Sequence, residues 1–423
     1  MIKKNVLSNG VRLVTEEMPY VNSVAIGFWI KAGSRYEVES LHGITHFIEH
    51  MLFKGTSARS AKRIAEELEA VGGSLNAFTS REHTCVYARV LKEDLDLAVD
   101  LLADMVLNST FDECEIEKEK NIICEEIMMY EDTPDEIIHD LFTQRAWYGH
   151  PLGRSILGTK ETVSAISRND VLRYYQSHFT AANIVITAAG NLSHLALKEK
   201  LEECLAEIPR IKTELHFQKN PIFVPSKYYK IKDTEQMHMC LGTEGLPQDS
   251  EKLYPLMVFN NLLGGGISSR LFQSVREDMG LAYSIYSYVS VYSDQGLLVV
   301  YAGTSLKNAA KIIEEIKKQI NSLINKDISQ IELDRTKNQL RGSILLNMEN
   351  VSHRMSRLGR TEISYDRVIT AEEATEKIMK VTLDDLHALS SLLADFNKYS
   401  IVTIGAEKLP GFETCILEGE NVY

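Results

Sequence analysis

The segment His46-Phe47-Ile48-Glu49-His50 sets two imidazoles four residues apart, with a carboxylate directly before the second. The run from Gly43 to Phe53 is apolar between its polar residues and reads as a helix. On a helix His46 and His50 share one face, near enough for both to bind one zinc ion. Glu49 borders that face. There it can take a proton from a metal-activated water without itself being a ligand. The order is that of the inverted HxxEH zinc motif. With 12 histidines in 423 residues, a chance match should be rare, on the order of a few in a hundred. His42 and His83 stand alone and are expected to be structural.

A catalytic zinc takes three protein ligands and leaves a position open. The third ligand must come from a second rigid element, and 112–130 reads as a helix that can supply it. Glu119 and Glu126 lie two turns apart on one face, which Ile116, Ile123 and Ile127 share or adjoin. A carboxylate among core-facing isoleucines is costly unless a metal or partner compensates it. An acidic helix can also carry such glutamates into water, and spacing alone leaves both readings open.

The elements that must hold these groups recur along the chain. Pro209, Pro221 and Pro225 cluster in a stretch without helical periodicity, which predicts a linker at 211–227 between domains 1–210 and 228–423. Glu115–Ile127 and Glu332–Ile344 match in charge and apolar character at most positions, suggesting a duplication. Around them the order repeats as well. Gly73–Val90 alternates as a strand or hairpin before an amphipathic helix at 93–106, and 282–303 alternates before a helix at 307–320. The expected fold class is α+β: two homologous α/β sandwiches, each an antiparallel-rich sheet with helices packed on one face.

Composition narrows the function. Hydrophobic residues make up 44% and charged residues 25%, which predicts a packed globular chain rather than disorder. Lys+Arg 46 against Asp+Glu 59 gives a net charge of −13, which argues against nucleic acid and anionic membrane as partners. Neither a targeting segment nor a bilayer-spanning run is evident, and six scattered cysteines read as free thiols, so a cytoplasmic protein is expected.

The stretch His46-Phe47-Ile48-Glu49-His50-Met51-Leu52-Phe53-Lys54-Gly55-Thr56 resembles the active-site helix of the pitrilysin/insulysin family of zinc peptidases. It is closest to the mitochondrial processing peptidase β-subunit branch and its bacterial relatives. The resemblance continues through Gly73-Ser74-Leu75-Asn76-Ala77-Phe78-Thr79, Pro151-Leu152-Gly153-Arg154 and Gly264-Gly265-Gly266-Ile267-Ser268-Ser269-Arg270-Leu271-Phe272. It implies that Glu126, 76 positions after His50, is the third ligand and that Glu119 supports the site. It further implies a peptide-binding edge strand at Leu75, Asn76, Ala77, Phe78 and Thr79, and substrate contacts from Arg276 and Tyr283. By the offset of the repeat, Glu119 and Glu126 correspond to Thr336 and Ser343, and Leu256–Leu263 takes the place of the zinc helix without histidines. The second half therefore keeps the fold without the metal.

The activity implied by the resemblance is that of an endopeptidase with one Zn2+ per chain, hydrolysing short or unfolded peptides in an enclosed chamber. A second copy is implied as partner, hence a homodimer. The alternatives are a catalytic subunit that needs a non-catalytic homologous partner, and a non-catalytic recognition subunit.

Overall fold

The computed structural model describes residues 1–208, 217–218 and 220–409. The chain forms two compact units, and they are not the contiguous domains 1–210 and 228–423. The first unit combines Met1–Met128, 154–208 with 217–218, and Leu345–Ala371; the second combines Met129–Gly153, 220–344 and 372–409. Each half of the chain lends one segment to the other unit. Of the expected linker, 211–216 and 219 lie outside the described residues, and Lys227 already opens a strand.

The first unit is built on a six-stranded sheet of β1 (Ile2–Val6), β2 (Arg12–Glu17), β3 (Ser23–Ile30), β4 (Ser74–Thr79), β5 (Thr84–Leu91) and β6 (Ile184–Gly190). Their order is β1-β2-β6-β3-β5-β4, antiparallel except for the β2–β6 pair. One face packs against helices α1 (Ile44–Met51), α2 (Ala61–Glu69), α3 (Leu95–Asn108) and α4 (Glu113–Glu131) through a core that includes Phe28, Phe47, Ile48, Leu102 and Ile123. The helix at 112–130 read from the sequence is therefore α4.

The opposite face is covered as well, by the helix Val351–Tyr365 from the second half. The expectation of helices on one face thus accounts for one of two layers. Because both faces are dry, β3 and β6 are buried almost throughout rather than alternating. The borrowed helix is fitted closely. Trp29 Nε1 donates to Thr187 Oγ1 at 2.8 Å, and that hydroxyl donates to the Met355 carbonyl at 3.1 Å. Glu362, fully buried, pairs with Lys4 at 2.7 Å and Arg12 at 3.1 Å. Gly359 lies against the indole, where a Cβ would come within 2.0 Å of Trp29 Cε2.

The second unit repeats the scheme with five strands: β7 (Lys227–Ile231), β8 (Met237–Glu244), β9 (Ala282–Val291), β10 (Gly296–Thr304) and β11 (Ser400–Gly405), in the order β7-β11-β8-β10-β9. The predicted 282–303 strand region is the β9–β10 hairpin, and the predicted 307–320 helix runs Leu306–Ile324. The borrowed helix here is α5 (Pro134–Ala146), whose Ile138, Phe142 and Ala146 pack with Cys240, Val299 and Val402. No helix among the described residues is long and apolar enough to cross a membrane. Cys85, Cys114, Cys124, Cys204 and Cys240 are free, as read from their spacing; Cys415 lies outside the described residues.

The chain leaving α1 is pinned by a charged cluster. Arg59 donates to Glu67 of α2 at 2.9 Å and to Asp100 and Asp104 of α3 at 2.5 and 2.7 Å, and Thr56 Oγ1 adds 2.7 Å to Asp104. Burial raises the Asp104 pKa, but the bonds from Thr56, Arg59 and Asn108 outweigh it and hold the carboxyl below its usual range. A depressed folded pKa gives stability that is present above the unfolded value and lost as pH falls through the folded one. Asp104→Asn should therefore lose stability at neutral pH and show a shallower acid limb than the parent, read as unfolding midpoints across pH 7 to 3. Gly359→Ala should be destabilised by about 1–3 kcal/mol or more from overpacking against Trp29; an unchanged thermal midpoint would contradict that packing.

Candidate metal centre

Helix α1 has no capping side chain at its own N-terminus. The preceding Gly43 is left-handed, with φ 93°. A Cβ there would meet the Leu157 carbonyl oxygen at 2.7 Å and Gly158 Cα at 2.9 Å, so this turn requires glycine. The first amides of α1 are satisfied from outside: Gly43 N–H donates to Glu37 Oε2 and Thr45 N–H to Glu37 Oε1, both at 2.8 Å. Ile44, Phe47, Ile48 and Met51 bury one face of the helix in the core. The remaining face presents His46, Glu49 and His50. On α4 the buried stripe is Ile116, Glu119, Ile123 and Ile127, so the isoleucine pattern places Glu119 inside, with Glu126 half-buried beside it.

The structure places the two glutamates differently. His46 Nε2 lies 3.9 Å from Glu126 Oε1, and His50 Nε2 lies 3.6 Å from Glu126 Oε2. Ligand atoms of His46, His50 and Glu126 all fall within 4.8 Å of one another, the one such convergence among the described residues. Zinc bonds of about 2.0–2.2 Å in a tetrahedron put ligands roughly 3.4 Å apart, so this set fits the ion. Glu119 is elsewhere: its Oε1 stands 2.8 Å from His50 Nδ1 and its Oε2 2.6 Å from Lys54 Nζ. A carboxylate acceptor fixes the proton on Nδ1 and frees Nε2 as the ligand atom.

Electrostatics agree with that division. Burial, helped by the charge of His50, pushes His46 down to about 3, so its imidazole is neutral as a ligand must be. Burial also disfavours charge on His50, but the Glu119 hydrogen bond and the charges of Glu126, Glu119 and Glu49 outweigh it and raise its pKa. For Glu119, burial is outweighed by the bonds from His50 and Lys54, which keep it below the carboxylate range. Glu49 goes the other way. Burial raises it, against a hydrogen bond from Thr79 and the charge of His50. Thr79 Oγ1 donates to Glu49 Oε2 at 2.5 Å.

Thr79 ends β4, the edge strand of its sheet, which pairs with β5. Leu75 and Ala77 pack toward the α1 core, whereas Phe78 lies on the opposite face beside Trp29. Asn76 is exposed and accepts from the Ala77 amide at 2.8 Å. In the second unit the guanidinium of Arg276 stacks over Tyr283 at 4.7 Å and over Phe272 at 4.7 Å, and Tyr283 is largely exposed. The helix Leu253–Gly264 in that unit carries no histidine. Its Asn261 donates to Gln339 of the helix Gln330–Asn347 at 3.2 Å, Thr336 is buried and Ser343 is exposed. An amide pair thus joins two helices there. His42 Nε2 sits 2.6 Å from the Ser155 carbonyl and His83 packs against Trp29 and Phe78, both apart from the His46–His50–Glu126 cluster.

Three contacts are not among the sequence expectations. Lys54 had a legible signal, one helical turn after His50. The Thr79 hydroxyl on Glu49 and the Glu37 carboxylate at the start of α1 had none, because both reach the helix across tertiary structure.

Residues 12–160 match the family model described as insulinase (peptidase family M16), and residues 165–340 match the peptidase M16 inactive domain. The chain is 44% identical to the uncharacterized zinc protease YmxG of Bacillus subtilis over 93% of this chain and 96% of that protein. It is 38% identical to an uncharacterized zinc protease of Rickettsia felis, over 96% of this chain and 98% of that one. Among solved structures, a protease from Helicobacter pylori superposes with TM-score 0.89 at 19% identity, covering 96% of this chain and 99% of that one. A peptidase M16 inactive domain from Pseudomonas fluorescens gives the same TM-score and identity, with 98% of that chain covered. These likenesses, from the matched family models to relatives aligned over nearly the whole chain, make this protein a member of peptidase family M16.

Proposed function

We propose that this chain is a zinc-dependent endopeptidase for short or unfolded peptides, acting as a cytoplasmic homodimer that encloses its substrate. The observation that carries the reading is the convergence of His46, His50 and Glu126, with Glu49 beside them held by Thr79. The names of the bacterial relatives as zinc proteases support it. His46, His50 and Glu126 would hold one zinc ion, which supplies an acidified water and polarises the scissile carbonyl.

The chain's own residues do the remaining work. Glu49 accepts the proton of the attacking water and delivers it to the leaving amine. The Thr79 bond fixes one oxygen of that carboxylate and leaves the proton to travel on the other. Glu119 and Lys54 hold the His50 ring in its ligating tautomer. The free edge of β4 from Leu75 through Thr79 offers main-chain groups to an extended peptide, which adds as a strand with little sequence demand. Its last residue touches Glu49, so a peptide in that register passes the base. The assignment of Arg276 and Tyr283 as donors to the tetrahedral oxyanion rests on the family resemblance.

Glu49→Gln should keep its zinc and lose peptide hydrolysis by at least about 100-fold, the usual share of a general base; metal analysis and a peptide assay on the same sample check this. Parent protein that holds zinc yet cleaves no peptide in a varied set would point to a catalytic subunit needing a partner, and a chain that binds no zinc at all would end the proposal. Glu119→Gln should weaken zinc about 10–100-fold while leaving the three ligands in place. Equal zinc affinity in that variant would remove Glu119 from the centre.

A further inference from the structure

We infer that Glu37 is a positioning residue of the metal centre: its carboxylate fixes the first turn of helix α1, and with it the direction in which His46, Glu49 and His50 leave the helix. The helix has eight residues, little more than two turns, a length that does not hold itself in water. The two amides that Glu37 binds belong to Gly43 and Thr45, and Thr45 is the neighbour of His46. Burial pushes the Glu37 pKa up to about 7 against the bonds from Gly43 and Thr45, so hydrogen bonding rather than a full charge holds this end. Loss of the carboxylate leaves two buried N–H groups without an acceptor at the base of the ligand face.

Glu37 is itself held fast. It is buried, on a segment whose Ser34 and Arg35 amides donate to the Ser80 and Arg81 carbonyls at 3.3 and 2.9 Å, while Arg35 Nη1 pairs with Glu82 at 2.8 Å. Residues 80–82 continue directly from Thr79. One buried stretch, 34–37, therefore grips the β4 end that carries the Thr79 hydroxyl and the helix start that carries Glu49. From the other side the Tyr174 hydroxyl lies 2.8 Å from Thr45 Oγ1. The relative placement of general base, its hydroxyl partner and both imidazoles is thus referred to one piece of backbone, with Glu37 as the link to the helix.

The test uses the full chain as Glu37→Gln and Glu37→Ala beside Glu362→Gln, which removes another buried carboxylate of the same unit away from α1. Two quantities are read: zinc dissociation constants by competition with a chromophoric chelator, and amide hydrogen exchange of residues 44–51 in metal-free protein. The zinc readout rests on the metal-centre reading; the exchange readout does not. Both Glu37 variants should weaken zinc by about tenfold or more and speed exchange across 44–51. Glu362→Gln should lower the unfolding midpoint while leaving zinc affinity and that exchange unchanged. Should Glu37→Ala fail to fold, Glu37→Gln, which keeps shape and one acceptor oxygen, decides. Parental exchange and zinc affinity in Glu37→Gln would overturn the inference, as would an equal change in Glu362→Gln. A parent that binds no zinc sinks the metal reading, and the exchange comparison still judges Glu37.

Discussion

Two imidazoles and a carboxylate from separate helices can share one cation only if the helices are held at a fixed distance and rotation. Bringing His46, His50, Glu119 and Glu126 together costs desolvation of four polar groups in a largely dry place. Burial alone would favour neutral Glu119 and strip the second proton from both rings. The outcome differs from group to group because the partners differ. His46 is buried and left neutral, whereas Glu119 lies between His50 and Lys54 and keeps its charge. The surroundings of each group set its role, and the rest of the first unit supplies those surroundings.

That supply is mechanical. Helix α1 is short and is fastened at both ends by side chains from elsewhere: Glu37 at its start, and Thr56 with Arg59 and the acids of α2 and α3 beyond its end. Helix α4 is longer and is set by a stripe of isoleucines. The apolar face of α1 fixes its rotation and Glu37 its first turn, and together they position His46, Glu49 and His50. Among the described residues of the second unit no such cluster recurs. There the corresponding helices are joined by one hydrogen bond between neutral amides, from Asn261 to Gln339.

The exchange of segments between the halves has an equally simple origin. Strands β3, β6 and β10 are apolar on both sides, so a sheet with helices on one face would leave the other exposed. The helix Val351–Tyr365 closes one sheet and α5 the other. Each brings a closely fitted contact: Gly359 on Trp29 in the first unit, and Phe142 among the strand residues of the second. A chain that folds this way cannot be cut at its middle into independent domains, since each unit would lose a layer.

By itself the sequence determined the His46–Glu49–His50 motif, because a helix of period 3.6 turns the spacing of His46 and His50 into a shared face without help from elsewhere. It also determined the isoleucine stripe of α4 and the repetition of strand runs and helices, which are likewise local patterns. Only the tertiary structure decided that Glu126 converges with the imidazoles while Glu119 turns to the far side of His50, since both glutamates satisfy the same periodicity. The same holds for the second layer on each sheet, for Thr79 against Glu49 and for Glu37 at the start of α1. Those contacts join residues from six to more than three hundred positions apart, and nothing in a local pattern encodes which side chain arrives.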